Sequence, residues 1–133
     1  MGHSFIVSTP IKILIVDDSA EMRQEIRASI PAQGYECLEA ADGDEVLSSY
    51  TSFRPSVVLM DVRMKRLDGI TATKDLLRSY PDANVVVLTQ YQDPMYRDAA
   101  MNAGAKAYLS KDDIGSLTSL ITMITHDQLG GVR

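Results

Sequence analysis

The sequence predicts an α/β protein, a parallel sheet with helices on both faces, on three observations. Strand-like and helix-like stretches alternate five times without an internal repeat, a low-complexity segment or a linker, and that alternation calls for crossovers between parallel strands. The stretches Val57-Val58-Leu59-Met60 and Val85-Val86-Val87-Leu88 are unbroken apolar runs, as in strands covered on both faces. A chain of 133 residues with 45% hydrophobic and 23% charged content supports one domain with a real core.

Taken in order, the first strand spans Ile11 to Val16 and finishes on the acid pair Asp17-Asp18. A helix follows from about Ala20 to Ala32, capped by Asp18 or Ser19, with Met22, Ile26 and Ile30 as its buried stripe and Pro31 closing it early. The second strand is Tyr35 to Ala40. Ala41-Asp42-Gly43-Asp44 then turns the chain into a short helix carrying Val46, Leu47 and Tyr50, which Arg54-Pro55 breaks. The third strand delivers Asp61. The third helix opens at Asp68-Gly69, with Ile70, Thr73, Leu77 and Tyr80 on one face and Pro81 past its end. The fourth strand ends on Thr89, and Asp93-Pro94, an N-cap with proline at the first helical position, opens the fourth helix. Apolar content from Met95 to Ala103 is mostly alanine and methionine, so this helix is expected to pack lightly. Ala107-Tyr108-Leu109 leads to Lys111, and Asp112 or Asp113 is the expected cap of a last helix with Ile114, Leu117, Leu120, Ile121 and Ile124 on its core face. The expected organisation is an N-terminal extension over 1–10, one domain over 11–127 and a disordered tail over 128–133.

Composition excludes several functions. Thirteen basic against eighteen acidic residues give a net charge of −5, the wrong sign for gripping a phosphate backbone, so no direct nucleic-acid binding by this chain is expected. The single cysteine, Cys37, excludes an internal disulfide and reads as a packed thiol, and no Cys or His cluster has zinc-ligand spacing. No apolar run approaches the roughly 18–20 residues needed to cross a bilayer, and Met1 to Pro10 lacks signal-peptide features, so a cytoplasmic location without membrane contact is expected.

The chemistry gathers at the strand ends. An aspartate after a strand often only caps the next helix. If the first and third strands are neighbours, however, Asp17, Asp18 and Asp61 come together at the carboxyl end of the sheet, where open parallel sheets bind ligands. Clustered carboxylates repel unless a cation joins them, and an all-oxygen set suits Mg²⁺, which keeps waters and a phosphate in its shell. Phosphoryl chemistry is the function this suggests. The fourth and fifth strand ends add a hydroxyl, Thr89, and an ammonium, Lys111.

With these residues in this order and spacing, the chain resembles the receiver domains of two-component response regulators from about Lys12 to Ile124. The resemblance implies a flavodoxin-like (βα)5 three-layer sandwich with strand order 2-1-3-4-5. It also implies that Asp61 accepts a phosphoryl group from a histidine kinase or a histidine phosphotransfer protein. Asp17, Asp18, Asp61 and the backbone carbonyl of Arg63 would hold Mg²⁺, Lys111 would balance phosphoryl charge, and Thr89 with Tyr108 would switch conformation to control an output domain. Such a chain is a signalling phosphoacceptor with self-phosphorylation and autodephosphorylation only, rather than an enzyme acting on outside substrates; Arg63 stands where aspartate-dependent phosphohydrolases place a second acid.

Three departures from the family pattern bear on function. Met64 is followed by Lys65-Arg66 where many relatives have proline, so the loop after Asp61 is expected to be less rigid and locally basic. Gln90 replaces a small residue and would narrow access to Asp61. Arg63 and Tyr91, both large, occupy positions that modulate phosphoryl lifetime in the family, and here they are expected to lengthen it. Lys111-Asp112, in place of Lys-Pro, resembles the class with a C-terminal helix-turn-helix output, which implies transcriptional control by an output domain missing from this chain and a possible phosphorylation-dependent homodimer. The alternatives are a stand-alone receiver and a phosphorylation-independent interaction module.

Overall fold

The computed structural model describes residues 9–90 and 93–130, with side chains through His126. Five strands, β1 (Ile11–Val16), β2 (Tyr35–Ala40), β3 (Val57–Met60), β4 (Val85–Thr89) and β5 (Ala107–Ser110), alternate with five helices, α1 (Ala20–Ala28), α2 (Val46–Phe53), α3 (Gly69–Ser79), α4 (Pro94–Ala103) and α5 (Leu117–Gly130). All strand pairs are parallel and the order is β2-β1-β3-β4-β5. β1 and β3 are therefore neighbours, with Val16 opposite Met60.

Period-two side-chain alternation divides the core between the two faces of the sheet. Leu14, Val16, Val58, Met60, Val85 and Val87 point to the face covered by Val46 of α2, Leu76 of α3 and Ala100 of α4. Ile13, Ile15, Val57, Leu59, Val86 and Leu88 point to the other, under Ile26 of α1 and Leu117 and Ile121 of α5. β3 and β4 have cover on both sides, which is why Val57-Val58-Leu59-Met60 and Val85-Val86-Val87-Leu88 are continuous apolar runs, and in β1 the buried part is Ile13-Leu14-Ile15-Val16. No helix among the described residues is long and apolar enough to cross a membrane.

Several boundaries differ from the sequence expectation. The Ser19 hydroxyl caps α1 by accepting from Met22 N–H, and α1 stops at Ala28, where the Ser29 hydroxyl turns back to the Ile26 carbonyl. Ile30 is still buried, but it lies beyond the helix. In α3 the deepest residues are Ala72, Thr73 and Leu76; Ile70, Leu77 and Tyr80 pack at the margin of the core, so the stripe is displaced toward Leu76. Asp112 and Asp113, the expected caps of the last helix, lie inside a 3-10 segment that precedes α5 and kinks at Asp113. The Ser110 hydroxyl accepts from Asp112 N–H and starts a 3-10 turn over Lys111–Ser116, and α5 begins after it. The backbone of α5 continues through Gly130, into the stretch expected to be a tail. In α4, opened by Asp93 and Pro94 as expected, only Ala100 is fully buried, consistent with light packing.

Candidate functional site

Strand order decides which side chains meet. Asp61 N–H donates to the Val16 carbonyl at 2.9 Å and Asp17 N–H to the Ala40 carbonyl at 3.1 Å, so the sheet ladder carries on into the residues at its carboxyl end. Asp17, Asp18 and Asp61 place carboxylate oxygens within 4.8 Å of one another, with Asp17 and Asp61 buried and Asp18 exposed. Gly69 lets α3 close on this point. A Cβ there would collide with the Asp61 carbonyl oxygen and press on Met60, and the Gly69 N–H instead donates to Val62 at 2.7 Å.

Lys111 reaches across from the end of β5. Its ammonium is 2.8 Å from Asp17 Oδ2 and 3.3 Å from Asp61 Oδ1, and its side chain is only 11% exposed. Burial opposes its charge, yet the Asp17 and Asp61 carboxylates outweigh that and raise its pKa. Asp61 behaves differently: burial first, then the neighbouring Asp17 charge, push its pKa up to about 6 despite Lys111. Asp61 Oδ1 is also a buried oxygen without a hydrogen-bond donor, because Lys111 approaches it as a charge at 3.3 Å rather than in hydrogen-bonding geometry. An under-satisfied buried oxygen beside two other carboxylates is a donor set that fits a hard cation.

The remaining predicted residues lie around this cluster. Thr89 is fully buried at the end of β4, opposite Ser110. Arg63 and the exposed Gln90 line the same cleft of ≈ 600 Å³ as the three aspartates and Lys111. Tyr91 lies outside the described residues. Tyr108 is half-buried away from the cluster, beside Pro94 and Arg97, and burial together with the Asp93 charge raises the pKa of its phenol.

Two residues of the site were not anticipated as functional. Arg23 of α1 donates to the Asp17 carbonyl and, at 2.8 Å, to Glu39 of β2; Glu39 also takes Arg27, and the Arg23 hydrogen bond leads the causes that lower its pKa. Asp42, read only as part of a turn, is 3% exposed and accepts from Arg66 N–H at 2.9 Å and Leu67 N–H at 2.8 Å. Burial works against its charge, but these backbone donors prevail and its pKa is lowered. Arg66 is not a free basic group of the loop, since it pairs with Asp44 at 3.0 Å and Glu45 at 3.5 Å.

Comparison with known proteins agrees with this geometry. A family model described as response regulator receiver domain matches residues 13–122. Response regulator MprA of Mycolicibacterium vanbaalenii is 39% identical over 102 residues, which are 77% of this chain and 44% of the relative. The transcriptional regulatory protein YhcZ of Bacillus subtilis is 41% identical over 104 residues, 77% of this chain and 49% of the relative. The chain thus spans about half the length of these curated relatives. Among solved structures, a LuxR-family two-component response regulator from Aurantimonas sp. superposes with a TM-score of 0.80 at 27% identity, covering 88% of this chain and 86% of that one.

Proposed function

Since this chain belongs to the response regulator receiver domain family, we propose that it accepts a phosphoryl group on Asp61 from the phosphohistidine of a histidine kinase or a histidine phosphotransfer protein. An Asp61 carboxylate oxygen attacks phosphorus, the bond from phosphorus to the histidine nitrogen breaks, and the imidazole leaves with the electron pair, giving an aspartyl phosphate. A carboxylate is a modest nucleophile, so rate comes from positioning and charge neutralisation. The cation assigned to Asp17, Asp18, Asp61 and the Arg63 carbonyl is Mg²⁺, which when bound supplies positive charge to the phosphoryl oxygens. Lys111 moves from Asp17 toward a phosphoryl oxygen. Thr89 follows with its hydroxyl, and Tyr108 takes up the space vacated beside β4.

The observation that carries this reading is the Asp17–Asp18–Asp61 cluster with Lys111 at 2.8 Å and a buried Asp61 oxygen lacking a donor. The signal is proposed to act in the cytoplasm on an output domain outside this chain, transcriptional by analogy with the named regulators. It also changes self-association through α4, β5 and α5, where Met95 and Met101 are exposed, or through α1. The chain otherwise catalyses only its own phosphorylation and dephosphorylation. Mass spectrometry after acetyl phosphate and Mg²⁺ tests the proposal: one added phosphoryl group is expected, lost with EDTA and in Asp61→Ala. No mass gain in the unmodified chain, or an equal gain in Asp61→Ala, would reject it.

A further inference from the structure

Asp42 is a buried carboxylate that the phosphoryl chemistry does not touch, and it lies on the far side of the loop that does. The loop between β3 and α3, residues 61–68, has two halves. Its first half, Arg63, Met64 and Lys65, lines the cleft of the aspartates. Its second half, Arg66 and Leu67, gives both backbone N–H groups to Asp42, one to each oxygen, at 2.9 and 2.8 Å.

The same corner holds the loop at two more points. Gly43 packs so closely that a Cβ there would collide with the Leu67 carbonyl oxygen. Arg66 reaches Asp44 at 3.0 Å and Glu45 at 3.5 Å through its side chain. Leu67 also packs at the edge of the core shared by α2 and α3. The loop contains no proline to restrict its backbone, and charge-assisted bonds from a buried carboxylate provide the restriction instead.

We infer that Asp42 is a positioning residue for the phosphoacceptor site: by clamping Arg66 and Leu67 it sets the course of Arg63 to Lys65 and so the donor geometry beside Asp61. The inference rests on the receiver reading above and assigns a role to a residue outside the acid cluster. Asp42→Asn is the sharpest variant. It keeps the shape and one acceptor oxygen, but its amide nitrogen cannot accept, so one of the two loop N–H groups loses its partner.

The experiment follows Mg²⁺ binding by backbone amide shifts, without a phosphodonor, in the unmodified chain, Asp42→Asn, Gly43→Ala and Ile121→Val, together with the melting temperature of each. Gly43→Ala pushes on Leu67 while leaving the carboxylate in place, and it carries the test if Asp42→Asn does not fold. Ile121→Val is a core change on the opposite face of the sheet and calibrates the effect of lost stability. The expected result is Mg²⁺ affinity weakened about tenfold in Asp42→Asn, weakened also in Gly43→Ala, and unchanged in Ile121→Val. Faster hydrogen exchange at Arg66 and Leu67 should accompany it. Unaltered Mg²⁺ affinity in the folded clamp variants, or weakening equal to that of Ile121→Val at equal loss of melting temperature, would overturn the inference. If the unmodified chain binds no Mg²⁺ and takes up no phosphoryl group, the receiver reading fails instead.

Discussion

The Lys111 ammonium lies closer to Asp17, at 2.8 Å, than to the proposed acceptor Asp61, at 3.3 Å. In the proposed reaction, a phosphoryl group on Asp61 would have to draw the lysine away from Asp17. Because Asp17 and Lys111 are both largely buried, this contact differs in kind from the exposed Arg66–Asp44 pair, whose contribution is about 1 kcal/mol or less.

Lys111→Met should therefore destabilise the metal-free chain by about 3 kcal/mol at pH 7, since it leaves two buried carboxylates without their cation. Added Mg²⁺ should recover part of that loss. Urea unfolding with and without Mg²⁺ checks both statements, and a variant as stable as the parent would contradict the ion-pair account.

Asp61 gives a pH dependence of defined sign. Its pKa in the folded chain is about 6, above the ordinary 3.8. Between those values the folded chain binds more protons than the unfolded one, so stability falls as pH rises through the window from about 4 to about 6, and the full cost persists above it. Asp61→Asn removes that cost and should be more stable than the parent by about 1–3 kcal/mol at pH 7 without metal. Mg²⁺ should stabilise the parent far more than the variant. Thermal unfolding from pH 5 to 7.5 would refute this if the two chains melted in parallel.

Gly69→Ala places a methyl group against the Asp61 carbonyl. Backbone there cannot yield cheaply, so a loss of about 2–3 kcal/mol is expected. Phosphorylation by acetyl phosphate should fall with it, because the acceptor itself is displaced. Normal labelling in a folded Gly69→Ala chain would show that Asp61 tolerates the shift.

Arg63 lines the cleft, and with Tyr91 it is proposed to hinder the water that hydrolyses the aspartyl phosphate. Arg63→Ala and Tyr91→Ala should each shorten the phosphoryl lifetime. A tenfold change needs only about 1.4 kcal/mol in the barrier, within the reach of one crowded side chain. Lifetimes measured after removal of the phosphodonor decide it, and unchanged decay in both variants would leave the approach of water unhindered.

The five residues at the strand ends were legible because each sits where an apolar run stops, a purely local pattern. The same holds for the two-sided burial of β3 and β4, whose runs Val57-Val58-Leu59-Met60 and Val85-Val86-Val87-Leu88 are unbroken because cover on both faces favours apolar residues at successive positions. Helix ends were less legible. Asp112 or Asp113 was the expected cap of the last helix, but the Ser110 hydroxyl, not singled out in the sequence, caps the 3-10 turn over Lys111–Ser116 that precedes it.

Asp42 was legible only as a turn residue beside Gly43, because its partners Arg66 and Leu67 are 24 and 25 positions away and offer backbone N–H groups that every residue type carries. The contacts of the loop after Asp61 were illegible for the same reason: the missing proline was visible, whereas the Asp42 hydrogen bonds and the Arg66 ion pairs come from another part of the chain. Periodicity states which residues must leave water, and that much follows from covalent order. Which strands become neighbours, and hence that Asp17, Asp61 and Lys111 meet, depends on how two helical layers close over one sheet, a matter of long-range packing that no local spacing encodes.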